Sequence, residues 1–290
     1  MPPKSDLLRR VTTAMEAFAP LRLADSSWDN VGTLVENPAP NGSGKVFLTI
    51  DLTPSVLKEA LGGRSGSCDK VDTLDAPAEV IVSYHPPIFV GMKRLVLNDP
   101  KQKIVLDTVV AGASIFSPHT SLDAAKGGIN DWLCDSCAPL SEMLPITQAD
   151  KEEDGIGMGR IGRFKDPLSL TAVLDNLKKA LGVPTCRVAL PTKMTMDSEV
   201  SSVAVCAGSG SSVLRGLKFS QKVQLLVTGE MGHHEVLAAV GMGRAVFLFE
   251  HTNSERGFLK AKLQPYLQSA LGQDVQVVVS ELDADPLVVY

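Results

Sequence analysis

Residues 79–87 read EVIVSYHPP, and residues 113–123 read ASIFSPHTSLD. Each opens as a short apolar run and breaks at once into a segment that includes Pro and His. The pattern returns in the second half: VQLLVT (223–228) runs into GEMGHH, and AVFLF (245–249) runs into EHTNSE. Helical signals lie between such runs. After KVFLTID (45–51), Pro54 is placed for the first turn of a helix carrying Val56, Leu57, Ala60 and Leu61. Pro100 opens another with Ile104, Val105 and Val109, and Ser169 caps a third that Gly182 ends. A strand is expected at 202–206, a helix from Asn253 to about Leu271 interrupted at Pro265, and a last strand at 275–279. Upstream, residues 5–18 place Leu8, Val11, Met15 and Phe18 on one helical face behind a Ser5 cap, with Pro20 as the stop. Strands alternating with helices along the whole chain give an α/β fold.

The chain has 290 residues, with 28 Lys+Arg against 33 Asp+Glu, a formal charge of −5 and a pI near 5.6. That length suggests two domains or two lobes. Residues 138–160, with Pro139, Pro145, the charge run 150–154 and Gly155, Gly157 and Gly159, read as a linker between an N-terminal lobe (1–137) and a C-terminal lobe (161–290). The acidic balance argues against direct nucleic-acid binding, which needs clustered Lys and Arg. No apolar run reaches the roughly 20 residues of a membrane helix, and no signal-peptide core follows Lys4, Arg9 and Arg10. The five cysteines (68, 134, 137, 186, 206) are odd in number and scattered, which suggests a reducing compartment. Cys134 and Cys137 lack a second CxxC and read as packing at a helix end. Cytosol is the default location, with nuclear and mitochondrial pools left open.

All five histidines fall in the strand-end segments: His85, His119, His233, His234 and His251. Two segments share the spacing His-Thr-x-x-acid, His119 to Asp123 and His251 to Glu255. In open α/β sheets, ligands gather outside the carboxyl ends of strands, so the four loops are expected to converge at one crevice between the lobes. Imidazole with carboxylate suits a divalent transition metal, and a carboxylate can bridge two. His233 and His234 open a helical run, where they either cap and pack or line the pocket. The loop Ala207–Ser212 follows a strand, and the backbone of Gly208, Ser209, Gly210 and Ser211 either approaches a bound anion or forms a tight turn. It lacks the Lys-Ser/Thr of a Walker loop.

SWDNVG (27–32), SYHPPIF (83–89), SPHTSLDAAKGGINDWL (117–133), TGEMGHHE (228–235) and FEHTNSERGFL (249–259) together resemble the Nif-three-like family. This is the NGG-one-interacting-factor-three group, some of whose bacterial members are labelled GTP cyclohydrolase I type 2. The wording is most similar to its eukaryotic Nif-three-like-one branch. The resemblance implies two similar lobes with mixed sheets flanked by helices, a metal site between the lobes, and assembly into a homohexamer. It places His85 and Asp123 on one divalent metal and His251 on a second, with Glu255 bridging and His119 beside the site as a general acid/base. The metal is zinc, iron or manganese, one or two per chain. Tyr84 departs from the pattern, since many bacterial members have a second His there. A phenol is a poor ligand, so the resemblance implies one tight metal and a weakened second position, with Tyr84, His233 and His234 lining the site. It implies either metal-dependent hydrolysis of a nucleotide, or a metal-stabilised scaffold for transcriptional regulators. Metal buffering is a third reading.

Overall fold

The computed structural model describes residues 6–63, 76–148, 154–217 and 221–289. Ser5, Cys68, most of the 62–78 loop and residues 150–153 of the charge run lie outside them. The chain divides into two units, one running to Leu122 and resumed at Leu259–Asp283, the other Asp123–Phe258 with Ala284–Tyr290.

The first unit begins with α1 (Asp6–Phe18), β1 (Gly32–Val35), β2 (Lys45–Thr49), α2 (Pro54–Ala60), β3 (Val80–Ser83), α3 (Pro100–Val110) and β4 (Ser114–Ser117). Every side chain of β2, β3 and β4 is buried, which is why these strands read as continuous apolar runs. Thr53 and Asp99 cap α2 and α3 with their side chains, and a proline opens each first turn. The chain passes into the second unit within α4 (Thr120–Ala124) and continues through α5 (Ile129–Asp135), β5 (Leu140–Gln148), β6 (Gly157–Ser169), α6 (Leu170–Leu181) and β7 (Arg187–Ala189). Then come β8 (Glu199–Cys206), α7 (Ser211–Arg215), β9 (Leu225–Thr228), α8 (His233–Gly241), β10 (Ala245–Leu248) and α9 (Asn253–Phe258). A π-helical turn (Leu259–Leu263), α10 (Gln264–Leu271) and β11 (Gln276–Val279) complete the first unit. Pro265 sits in the first turn of α10, where its missing N–H is not needed; the irregular π turn stands just before it.

Both sheets are mixed and flanked by helices. The first has the order β1-β4-β3-β2-β11 and the second β5-β6-β8-β9-β10-β7. β2, β3 and β4 are parallel, and β1 pairs antiparallel with β4. In the second unit β8, β9 and β10 are parallel, and β7 pairs antiparallel with β10. The two halves therefore repeat one topology: β1 to β4 correspond in order to β7 to β10. In the first unit Phe47, Ile81 and Ile115 pack against Val56, Leu57, Ile104 and Val105 from α2 and α3. In the second, Ala204, Leu226 and Val246 pack with Leu214 and Ala239 from α7 and α8. On α1 the buried face is Leu7, Val11, Ala14 and Met15; Leu8 and Phe18 lie at its margin.

Residues 138–160, expected to link the lobes, instead carry β5 and the start of β6, paired antiparallel from Leu140–Phe164 to Gln148–Gly157. The Gly signal there has a different cause. A Cβ on Gly157 would stand 2.0 Å from the carbonyl oxygen of Thr147, so the tight pairing requires glycine. The chain changes unit inside α4 rather than at 138–160, and residues 259–283 return to the first unit.

Candidate metal and acid/base site

The histidine loops are built from the strand ends outward. In the first unit β2 ends before Asp51 and β3 before Tyr84-His85, and Nδ1 of His85 bonds the Asp51 carboxylate at 3.0 Å. β4 ends before Pro118-His119, and Nδ1 of His119 bonds Asp29 at 2.6 Å. The other oxygen of Asp29 accepts from both the backbone N–H and the hydroxyl of Thr120. His119 has φ +31°, uncommon for a non-glycine residue, and Asp29 is what pins that turn.

The second unit repeats this arrangement. β9 ends before Gly229-Glu230 and β10 before Phe249-Glu250-His251, and Nδ1 of His251 bonds Glu230 at 2.8 Å. Thr252 donates its N–H and its hydroxyl to Asp285, each at 3.0 Å, as Thr120 does to Asp29. Glu250, at φ +68°, is gripped by Arg187 of β7 through two nitrogens. Nε2 of His251 lies 3.5 Å from Oε1 of the buried Glu255, one helical turn further on.

Three histidines therefore have a carboxylate at Nδ1. A carboxylate there holds the ring proton on Nδ1 and makes Nε2 the electron-pair donor, which orients an imidazole toward a metal or a substrate proton. Asp29, Asp51, Glu230 and Asp285 were assigned no role from sequence. Asp51 and Glu230 stand at strand ends, a position that could have flagged them; Asp285 has no local signal.

Asp123 sits half-buried on α4, its carbonyl held by Asn130. Burial pushes the Cys206 thiol at the end of β8 upward, and the charges of Asp123 and Glu255 push the same way. Both carboxylates thus bear on the end of β8. Gly208, in the next turn, has φ +62°, and a Cβ there would stand 2.3 Å from Glu255 Oε1 and 3.0 Å from His251 Nε2. The backbone must come this close, so glycine is needed for both conformation and space. Gly208→Ala is expected to destabilise the second unit by about 1–3 kcal/mol, read as a lower urea midpoint.

Other candidates are placed differently. Tyr84 is 2% exposed and packs edge-on against His119, with centroids 5.4 Å apart, and at a tilt against His85. His233 and His234 are exposed at the start of α8 and meet edge-on, with ring centroids 5.4 Å apart. In the 207–212 loop, the N–H of Gly208 donates to Ser254 and that of Gly210 to Thr228. Those donors are spent inside the protein, and the anion-binding reading loses them. Cys134 and Cys137 are buried, and burial pushes both thiols up, as in packing residues.

Burial works to raise the Asp29 carboxyl, but the hydrogen bonds from His119 and Thr120 outweigh it and hold it below the usual range. A depressed folded-state pKa contributes stability that is present above the unfolded value and lost as pH falls through the folded one. Wild type is therefore expected to lose more stability than Asp29→Asn when urea unfolding is followed from pH 6 downward to pH 2.5. Equal losses in the two proteins would contradict the assignment.

Among the described residues, no helix is long and apolar enough to cross a membrane. The family described as Duf34/NIF3 (NGG1p interacting factor 3) matches residues 7–286. The chain is 37% identical to the Schizosaccharomyces pombe protein NIF3 homolog, covering 98% of each. It is also 37% identical to NGG1-interacting factor 3 of Saccharomyces cerevisiae, over 97% of this chain and 96% of that one. A Bacillus cereus protein related to NIF3 has a solved structure that superposes with a TM-score of 0.78 at 19% identity, covering 97% of this chain and 98% of that one. With a match that runs from α1 to beyond β11, this chain is a member of the Duf34/NIF3 family.

Proposed function

We propose that the chain binds divalent cation through His85, Asp123, His251 and Glu255, with His85 and Asp123 on a tight position, His251 on a weaker second one and Glu255 shared by both, and uses it in the hydrolysis of a nucleotide or related small molecule. One observation supports this most directly: His251, held at Nδ1 by Glu230, presents Nε2 beside the buried Glu255, and Gly208 leaves a space that a Cβ would fill. The donors are imidazole and carboxylate, which fit zinc, iron or manganese. When bound, such an ion supplies a water of lowered pKa. His119, with its proton held at Nδ1 by Asp29, has Nε2 to take a proton from a reacting group. Trp28 and Tyr84 meet the His119 ring edge-on and hold its orientation. Because Tyr84 is buried as a packing residue, one tight cation per chain is proposed, with a weaker second position. The test is incubation of metal-loaded protein with GTP and a nucleotide panel. Product formation abolished by Asp123→Ala, and reduced on the order of 100-fold or more by His119→Ala, supports the reading; absence of turnover on every nucleotide contradicts it.

A second reading is a scaffold for protein partners in transcription, in a homo-oligomer that the family resemblance makes a hexamer. It is favoured by the name of the S. cerevisiae relative, NGG1-interacting factor 3, and by an exposed apolar run in the first unit. Phe89, Val90, Leu95 and Leu97 are all open to solvent there, with Trp28 against Phe89. On this reading Asp123→Ala leaves partner capture intact, and substitutions in the 89–97 run remove it.

A further inference from the structure

The second unit holds a cavity of about 240 Å³ under α7 and α8, lined by none of the four proposed metal ligands. Leu214, Leu217, Leu226, Met231 and Ala239 give it apolar walls, and Arg244 lines it as well. Arg244 is 8% exposed. Its backbone N–H is spent on the carbonyl of Ala239, but its guanidinium has no hydrogen bond or ion pair among the described residues. The contrast within the same unit is sharp: the buried Arg160 is bonded to Asp131 and to five backbone carbonyls. Burial also holds the Arg244 pKa below its usual value. The guanidinium nitrogens keep some contact with water, so the charge is unpaired without being fully desolvated, and an anion entering the cavity meets donors that no internal partner occupies.

We propose that this cavity binds a small organic carboxylate with a compact apolar body, its carboxylate paired with the Arg244 guanidinium. The fork of a guanidinium matches a carboxylate through two parallel hydrogen bonds, and the remaining walls are mainly hydrocarbon, with Ser211, Arg215, His234 and Glu235 also lining the cavity. The cavity has room for an acid of a few carbons. Glu235, at the same cavity, does not serve as the counter-charge, because its carboxylate accepts from the Gly232 N–H at 2.9 Å and faces Arg215 at 3.5 Å. Its negative charge disfavours a dianion such as phosphate. This site is independent of the metal proposal and needs no cation.

The test is calorimetric titration of the full chain in chelator with hexanoate, hexanol and inorganic phosphate. Hexanoate is expected to bind saturably at one per chain, at least tenfold more tightly than either comparison ligand. Arg244→Met, which keeps an apolar stem of similar length, is expected to weaken hexanoate at least tenfold and leave hexanol unchanged. Its melting temperature is expected to match or exceed wild type, since it removes an uncompensated charge. Absence of saturable hexanoate binding, phosphate binding as tightly, or hexanoate unaffected by Arg244→Met would overturn the proposal. So would a lower melting temperature in Arg244→Met, which would show that the guanidinium is paired inside the protein.

Discussion

Arg160→Ala is expected to destabilise the second unit by about 3–5 kcal/mol, the cost of removing one partner from a buried ion pair. Arg160 is 1% exposed and lies on β6. Its guanidinium binds Asp131 of α5, the carbonyls of Gly155, Gly157 and Gly159 before and within β6, and those of Ala124 and Ala125 at the end of α4. Asp131 in turn accepts from the N–H of Gly127 at 2.7 Å. Truncation strands five carbonyls and one carboxylate with little access to water. It also frees the 124–127 turn that directly follows Asp123. Arg160→Lys keeps the charge but, without the planar fork, cannot reach all of these acceptors. Urea unfolding should show Arg160→Lys between wild type and Arg160→Ala. A loss below about 1 kcal/mol for Arg160→Ala, the level of a surface pair, would contradict this account.

The second large effect concerns His251. His251→Ala removes the imidazole donor of the weaker second position and is expected to weaken cation binding there by more than the roughly 10–100-fold typical of losing an outer partner, leaving the tight position in place. Glu230→Gln removes only the carboxylate at Nδ1 of His251. It is expected to fall within that 10–100-fold range, because the ring stays but its tautomer and orientation are no longer fixed. A chromophoric chelator competing for zinc reads both. Equal second-position affinities for wild type and His251→Ala would remove His251 from the site.

The two variants also show what the sequence alone can reveal. The parallel strands are legible because burial on both faces makes them apolar throughout, and the apolar runs of the sequence match β2, β3, β4, β9 and β10 to within a few residues. The strands that were missed, β1, β5 and β7, pair antiparallel at sheet edges and keep exposed or half-exposed side chains. Without an apolar run, and with Pro145 inside β5, they resemble loop. The long β6 was lost for another reason: its glycines answer to close backbone approach, which no local pattern announces. The histidines stood out through their strand-end positions and their shared spacing to an acid. Their carboxylate partners did not, because Asp29 bonds His119 across 90 residues and Asp51 bonds His85 across 34. The repeat itself was visible twice, as His-Thr-x-x-acid in sequence and as β1 to β4 against β7 to β10 in topology.

A divalent-cation site in which Tyr84 leaves the second position weak fixes the metal stoichiometry of the chain. Protein loaded with zinc and dialysed against metal-free buffer is analysed for metal by elemental mass spectrometry. One equivalent per chain is expected for wild type and none for Glu255→Ala. Two retained equivalents in wild type, or an unchanged content in Glu255→Ala, would contradict the account.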